Sequence, residues 1–314
     1  MIGRWGPASL RRLSQNTLLN MRTSILTCGL VALFLLASCG GDQPKQDSLN
    51  TDIKVDSTQA ARVRKTKNIF HNIPSPMETA ALLKKAGAEY SKDILNDVKN
   101  VDNYTAASKQ ALNLGIYGAD LSYASVFNNT QESMLFTACA QNLAKRLDVS
   151  NAFGQETIDR MEENRNDRDS LLNIISETYW NVDAYLKENG RDNVSALMIA
   201  GGWVEGLFIA TQVCKNNDTP ELRQRIAEQN LALGQLIELL ATYSTDDAAV
   251  TGVRADLEAI SKLYSDAPAA MASTVKQEDG VTVIGGGSPA TTVTDEQLKL
   301  ITAKTDDVRN GYIN

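Results

Sequence analysis

From Ser75 onward, apolar residues return every three or four positions and short polar clusters interrupt them. That repeat is one face of an α-helix. Ser75-Pro76-Met77-Glu78 opens the first stretch with a capping serine, proline at the first helical position and glutamate at the third. Leu82, Leu83, Ala86, Tyr90, Ile94 and Val98 continue it at helical spacing, so the pattern predicts a single helix reaching Val98. Further helices are predicted over Thr105–Phe127, Thr130–Leu147, Gln155–Asn164 and Asp169–Glu188, the last closed by Gly190. Asp192–Cys214, a Thr219-Pro220 start running to Tyr243, and Asp246–Tyr264 complete the series. Seven or eight helices joined by short polar loops predict an all-α fold, an antiparallel multi-helix bundle over residues 75–265. Beyond it, residues 266–314 read as a Gly/Ser/Thr-rich, loosely docked C-terminal arm. Its strand-like signal is Gly280-Val281-Thr282-Val283-Ile284, and a short terminal helix is expected from Thr294 to Val308.

The chain ahead of the bundle has a different texture. Arg22 precedes an apolar run of about twelve residues, Ile25 to Leu36, followed by Ala37-Ser38-Cys39. The run is shorter than the ~20 residues needed to span a bilayer, and its layout is that of a secretory signal. Leu36-Ala37-Ser38-Cys39 resembles the lipobox of bacterial lipoproteins. The resemblance implies cleavage before Cys39 by signal peptidase II, residues 1–38 as the signal peptide, and palmitate-type acyl chains on Cys39. Two or more chains anchor stably, each buried methylene contributing ~0.8 kcal/mol. The membrane is thus the expected partner, through Cys39. The proportions of the signal place the true start at Met21. Gly40 lacks the aspartate that retains such proteins in the inner membrane, so the resemblance points to the outer membrane and leaves the leaflet open. Residues 39–74 are polar, carry no apolar period and read as a disordered, flexible tether.

Charge narrows the classes of partner. Of 31 basic residues, four lie within residues 1–38, which hold no acidic residue; the remainder carries 27 basic against 38 acidic residues, a net −11. That balance disfavours nucleic acid, whose phosphates demand Lys and Arg. The single histidine, His71, precedes the first predicted helix. The helical body therefore has no histidine for a Ser-His-Asp triad, a Glu-x-x-His di-iron pair or a zinc site. Gly285-Gly286-Gly287-Ser288-Pro289-Ala290 imitates a dinucleotide fingerprint but is followed by threonines rather than a helix. No motif calls for a metal or cofactor, and no catalytic residue is assigned.

Two apolar helices carry isolated acids. Residues 196–214, ALMIAGGWVEGLFIATQVC, hold one charge, Glu205, amid Gly202-x-x-x-Gly206. This reads as the central bundle helix, buried all round, whose glycines admit a close neighbour. Residues 111–121 similarly place Asp120 beside Gly115, Tyr117 and Gly118. Such acids must be paired, hydrogen-bonded or neutral. Two arrangements stay open: Asp120 and Glu205 lining an interhelical pocket with Tyr117, Tyr123 and Trp203, or a satisfied core network. Cys139 and Cys214 remain for a disulfide or for two buried thiols. YGADLSYA and GGWVEGL also resemble all-helical envelope lipoproteins of Gram-negative bacteria, a likeness that implies architecture and no activity. The expected function is a lipid-anchored, non-enzymatic binding or scaffold module, with a protein or small ligand as the further partner; the alternative is a ligand binder or carboxylate enzyme built on Asp120 and Glu205.

Overall fold

The computed structural model describes residues 73–243, 247–265 and 292–314, with the backbone alone of 276–278 and 281–283. Cys39, His71, the leader and most of the tether lie outside the described residues. Nine α-helices are found among them: α1 Pro76–Lys85, α2 Ala107–Val126, α3 Thr130–Arg146, α4 Gln155–Glu163, α5 Arg168–Glu188, α6 Asp192–Asn216, α7 Pro220–Ala241, α8 Ala248–Ser265 and α9 Asp295–Ile313. A 3₁₀ turn spans Val98–Asn103 between α1 and α2. Two three-residue strands, β1 Lys276–Glu278 and β2 Val281–Val283, pair antiparallel with Lys276 opposite Val283. The fold is all-α and multi-helical, as its hydrophobic period predicts.

Local chemistry places most of the boundaries. The Ser75 hydroxyl accepts from Glu78 N–H while the Glu78 carboxylate accepts from Ser75 N–H, a complete capping box. Thr294 and Gln297 make the same reciprocal pair at the start of α9. Gly190 adopts φ +67° after α5, where Gly190 N–H bonds Lys187 C=O and Arg191 N–H bonds Leu186 C=O. That pair of bonds is the Schellman closure.

The same closure overturns one expectation. Gly87 takes φ +89°, Gly87 N–H bonds Lys84 C=O, and Ala88 N–H bonds Leu83 C=O. So α1 stops at Lys85 instead of reaching Val98. Tyr90, Ile94 and Val98 still pack on the core, because the irregular strap after Gly87 is laid against the bundle. Their apolar spacing imitates a helix that is not there.

A second boundary also moves. The bundle does not close at residue 265: α9 runs 19 residues to Ile313 and buries Ile301, Thr305, Val308, Arg309 and Tyr312. It packs against α6, α8 and α2. The arm expected to dock loosely therefore ends in an integral bundle helix. Its carbonyl end is held by α2: Lys109 Nζ donates to Gly311 C=O at 2.6 Å, and Asn113 Nδ2 to Tyr312 C=O at 3.0 Å.

α6 is the axis. It is long and apolar enough to cross a membrane, yet 94% of its most apolar window is buried inside the protein. α2, α9, α7, α5, α1 and α8 surround it. That makes it the core helix of a bundle, apolar all round because it has neighbours all round.

Candidate functional site

α2 meets α6 along a seam of glycines. A Cβ on Gly115 would lie 1.9 Å from the Met198 carbonyl oxygen, and one on Gly201 would lie 2.0 Å from that of Leu112. Backbone occupies both places, so neither position admits a side chain. The contacts advance together, Leu112 with Gly201, Gly115 with Gly202, Asp120 with Glu205. The two central helices thus run in the same direction, although they are not consecutive in the chain.

This close approach brings the two predicted acids together. Arg309 from α9 clamps Glu205 with both arms of its guanidinium, Nε to Oε2 at 2.6 Å and Nη2 to Oε1 at 2.8 Å. Arg309 Nη2 also donates to Ile94 C=O at 3.2 Å, and its guanidinium carbon lies 4.0 Å from the centre of the Phe208 ring. Asp120 Oδ2 accepts from Asn96 N–H at 3.2 Å. Asp120 Oδ1 has no hydrogen-bond partner among the described residues, and the Glu205 carboxylate is close enough to act on Asp120. Two ionised carboxylates repel at such an approach. Burial first, and the Glu205 charge second, push the Asp120 carboxyl well above the usual carboxylate range, against the pull of Arg309. The protonated form of Asp120 is therefore favoured beside the Glu205–Arg309 pair.

The exposures decide between the two readings of this pair. Asp120 and Glu205 are 0% exposed and Arg309 6%. The cluster is sealed core rather than the wall of a pocket. Tyr117 and Tyr123, expected as pocket walls, are fully buried and donate to the carbonyls of Asp97 (2.9 Å) and Glu89 (2.7 Å). They fasten the strap after α1 onto α2, and burial raises both phenols, Tyr123 to about 12. Trp203 is buried, with no hydrogen-bond partner for Nε1 among the described residues. Arg309 was the missing partner; a lone arginine on the text Asp306-Asp307-Val308-Arg309 was its only trace in the sequence.

Cys139 and Cys214 are both free, so the bridge between them is not formed. The Cys139 thiol sits 3.7 Å from Val98 C=O, and the Cys214 thiol 3.7 Å from Asp218 Oδ1. They are held by different elements. Burial pushes both thiols up to about 11, which keeps them protonated and unreactive at neutral pH.

One open, mainly apolar space lies on another side of α2. A cleft among α1, α2, α3, α4, α5 and α6 holds about 520 Å³ of empty space, its mouth included. Met77, Met161 and Met198 line it with Leu121, Ile175 and Val182. Gly118 lies at its rim: a Cβ there would meet nothing within 4 Å. The hydroxyls of Ser122 and Thr178 turn back to the carbonyls of Gly118 and Ile174, at 2.7 Å each. What faces the cleft is thereby mainly carbon. Gly118 was visible in the sequence as a helix glycine; its purpose was not, because the seam glycines beside it carry the same letter.

No protein-family model, curated protein or solved structure matches the chain.

Proposed function

We propose that this protein is a lipid-anchored module of the cell envelope that works by binding, and that the apolar cleft beside Gly118 is where it binds. The cleft is the observation that carries the reading. Ligand sites are concave and mostly apolar, and here a helix accepts a glycine, at about 1 kcal/mol of propensity, where packing requires none. The acids that suggested chemistry support a binding role instead, since Asp120 and Glu205 are locked with Arg309 inside the bundle. The anchor rests on Leu36-Ala37-Ser38-Cys39, and Gly40 supports the outer membrane.

Two measurements test these halves separately. Cys39→Ser should move the protein from the membrane to the soluble fraction and abolish labelling by radioactive palmitate; a variant still bound to membrane overturns the anchor. Titration of the full chain with 1-anilinonaphthalene-8-sulfonate and with cis-parinaric acid should show saturable, one-to-one binding of at least one of them. A folded chain that binds neither overturns the cleft as a functional site.

A further inference from the structure

The binding reading leaves the ligand class open, and the lining of the cleft narrows it. The cleft holds about 520 Å³ of empty space, its mouth included. Three of the four methionines among the described residues, Met77, Met161 and Met198, face the cleft. Methionine is unbranched and conformationally soft, which fits a flexible, featureless chain better than a rigid shape. No charged side chain lines the cleft, so a charged headgroup would have to remain outside. The most exposed lining residues are Gly118, Ser176 and Tyr179, on facing sides of α2 and α5. They mark the mouth at which a polar headgroup would stay in water.

We propose that the cleft between α2 and α5 takes a single saturated or mono-unsaturated acyl chain, with Gly118 as the residue that keeps the channel open. This rests on the binding reading above. The chain would come from a free fatty acid or phospholipid of the envelope.

The test uses the full chain in two forms, the membrane-extracted wild type and Cys39→Ser, titrated with cis-parinaric acid and, separately, with 1-anilinonaphthalene-8-sulfonate. Saturable one-to-one binding of parinaric acid to Cys39→Ser, displaced by palmitate, is the expected result. Gly118→Leu should weaken it at least tenfold with an unchanged helical spectrum and a melt at or above that of the parent. Gly118→Ala should weaken it about twofold. Diazirine-bearing palmitate should label peptides containing Met77, Met161 or Met198, a readout that does not depend on any variant folding. The extracted wild type should bind parinaric acid as Cys39→Ser does; binding by Cys39→Ser alone would overturn free lipid as the source. Saturable binding of the naphthalene probe without parinaric acid overturns the acyl chain and leaves the binding site standing. Binding of neither probe overturns both. Label found only on other peptides, or affinity indifferent to a folded Gly118→Leu, removes the cleft from the proposal.

Discussion

Gly115 and Gly118 lie three residues apart on α2 and are present for opposite reasons. At Gly115 a Cβ would lie 1.9 Å from a carbonyl oxygen of α6; at Gly118 it would meet nothing within 4 Å. The first glycine closes a seam, and the second opens a cleft. Both sacrifice about 1 kcal/mol of helix propensity relative to alanine. At the seam, close packing of α2 on α6 and the acid cluster that this packing brings together offset the sacrifice. At the cleft nothing in the protein does, which is why that side of the helix is read as functional. Glycine in a helix is thus a question about the neighbouring volume, and only the neighbour answers it.

The largest effect should come from breaking the seam's charge cluster. Arg309→Met leaves Glu205 buried without its cation, a loss of about 3–5 kcal/mol and a fall in Tm of roughly 6–20 °C for a body of this size. Hydrogen exchange should show α9 opening first. Glu205→Met combined with Arg309→Leu should recover much of that loss, since apolar replacement of a buried pair is often neutral; no recovery would mean that α9 is held mainly by other contacts. Gly115→Ala follows, at roughly 1–3 kcal/mol from overpacking against backbone that has no rotamer to yield. Thermal or denaturant melts read it directly, and an unchanged melt would remove the seam from the argument. Gly118→Ala should do the reverse, raising stability by up to about 1 kcal/mol because its methyl enters open space. The sign difference between these two alanines is the sharpest form of the comparison.

The smallest effect at neutral pH concerns the proton on Asp120. Burial pushes its carboxyl well above the unfolded value of 3.8, which favours the protonated form in the fold. The folded state then binds a proton that the unfolded chain has released above about pH 4. The stabilisation linked to that proton is present in full at acid pH and is lost as pH rises toward the folded value. Asp120→Asn keeps an acceptor for Asn96 N–H and a donor for Glu205 without the proton. Its Tm relative to wild type should therefore climb as pH rises above about 4. A difference that stays flat would mean that the Asp120 carboxyl is not raised in the fold.

Helix count and most helix ends were legible from the chain because their causes are local. Ser75 and Glu78 cap one another three residues apart, Gly190 closes α5 within one turn, and α6 is apolar on every side. The misreadings share one origin. Tyr90, Ile94 and Val98 kept a helical period while Gly87 had already ended the helix, since an irregular strap lying on a core must also turn apolar residues inward. Asp120 and Glu205 were rightly picked out as acids needing partners. Their placement in a sealed cluster depended on Arg309, 104 residues beyond Glu205, at a distance along the chain that no periodicity reports.

The sequence by itself determined the all-helical class, the capped starts of α1 and α9, and the burial of α6, for each follows from residues within a turn or two of one another. Tertiary structure alone decided that α9 belongs to the bundle, that Cys139 and Cys214 stay apart, that the protonated form of Asp120 is favoured, and that Gly118 faces empty space while Gly115 faces backbone. Those outcomes depend on which surfaces meet after the chain has folded back on itself. Charge, volume and solvent exclusion act there through space and are indifferent to sequence separation.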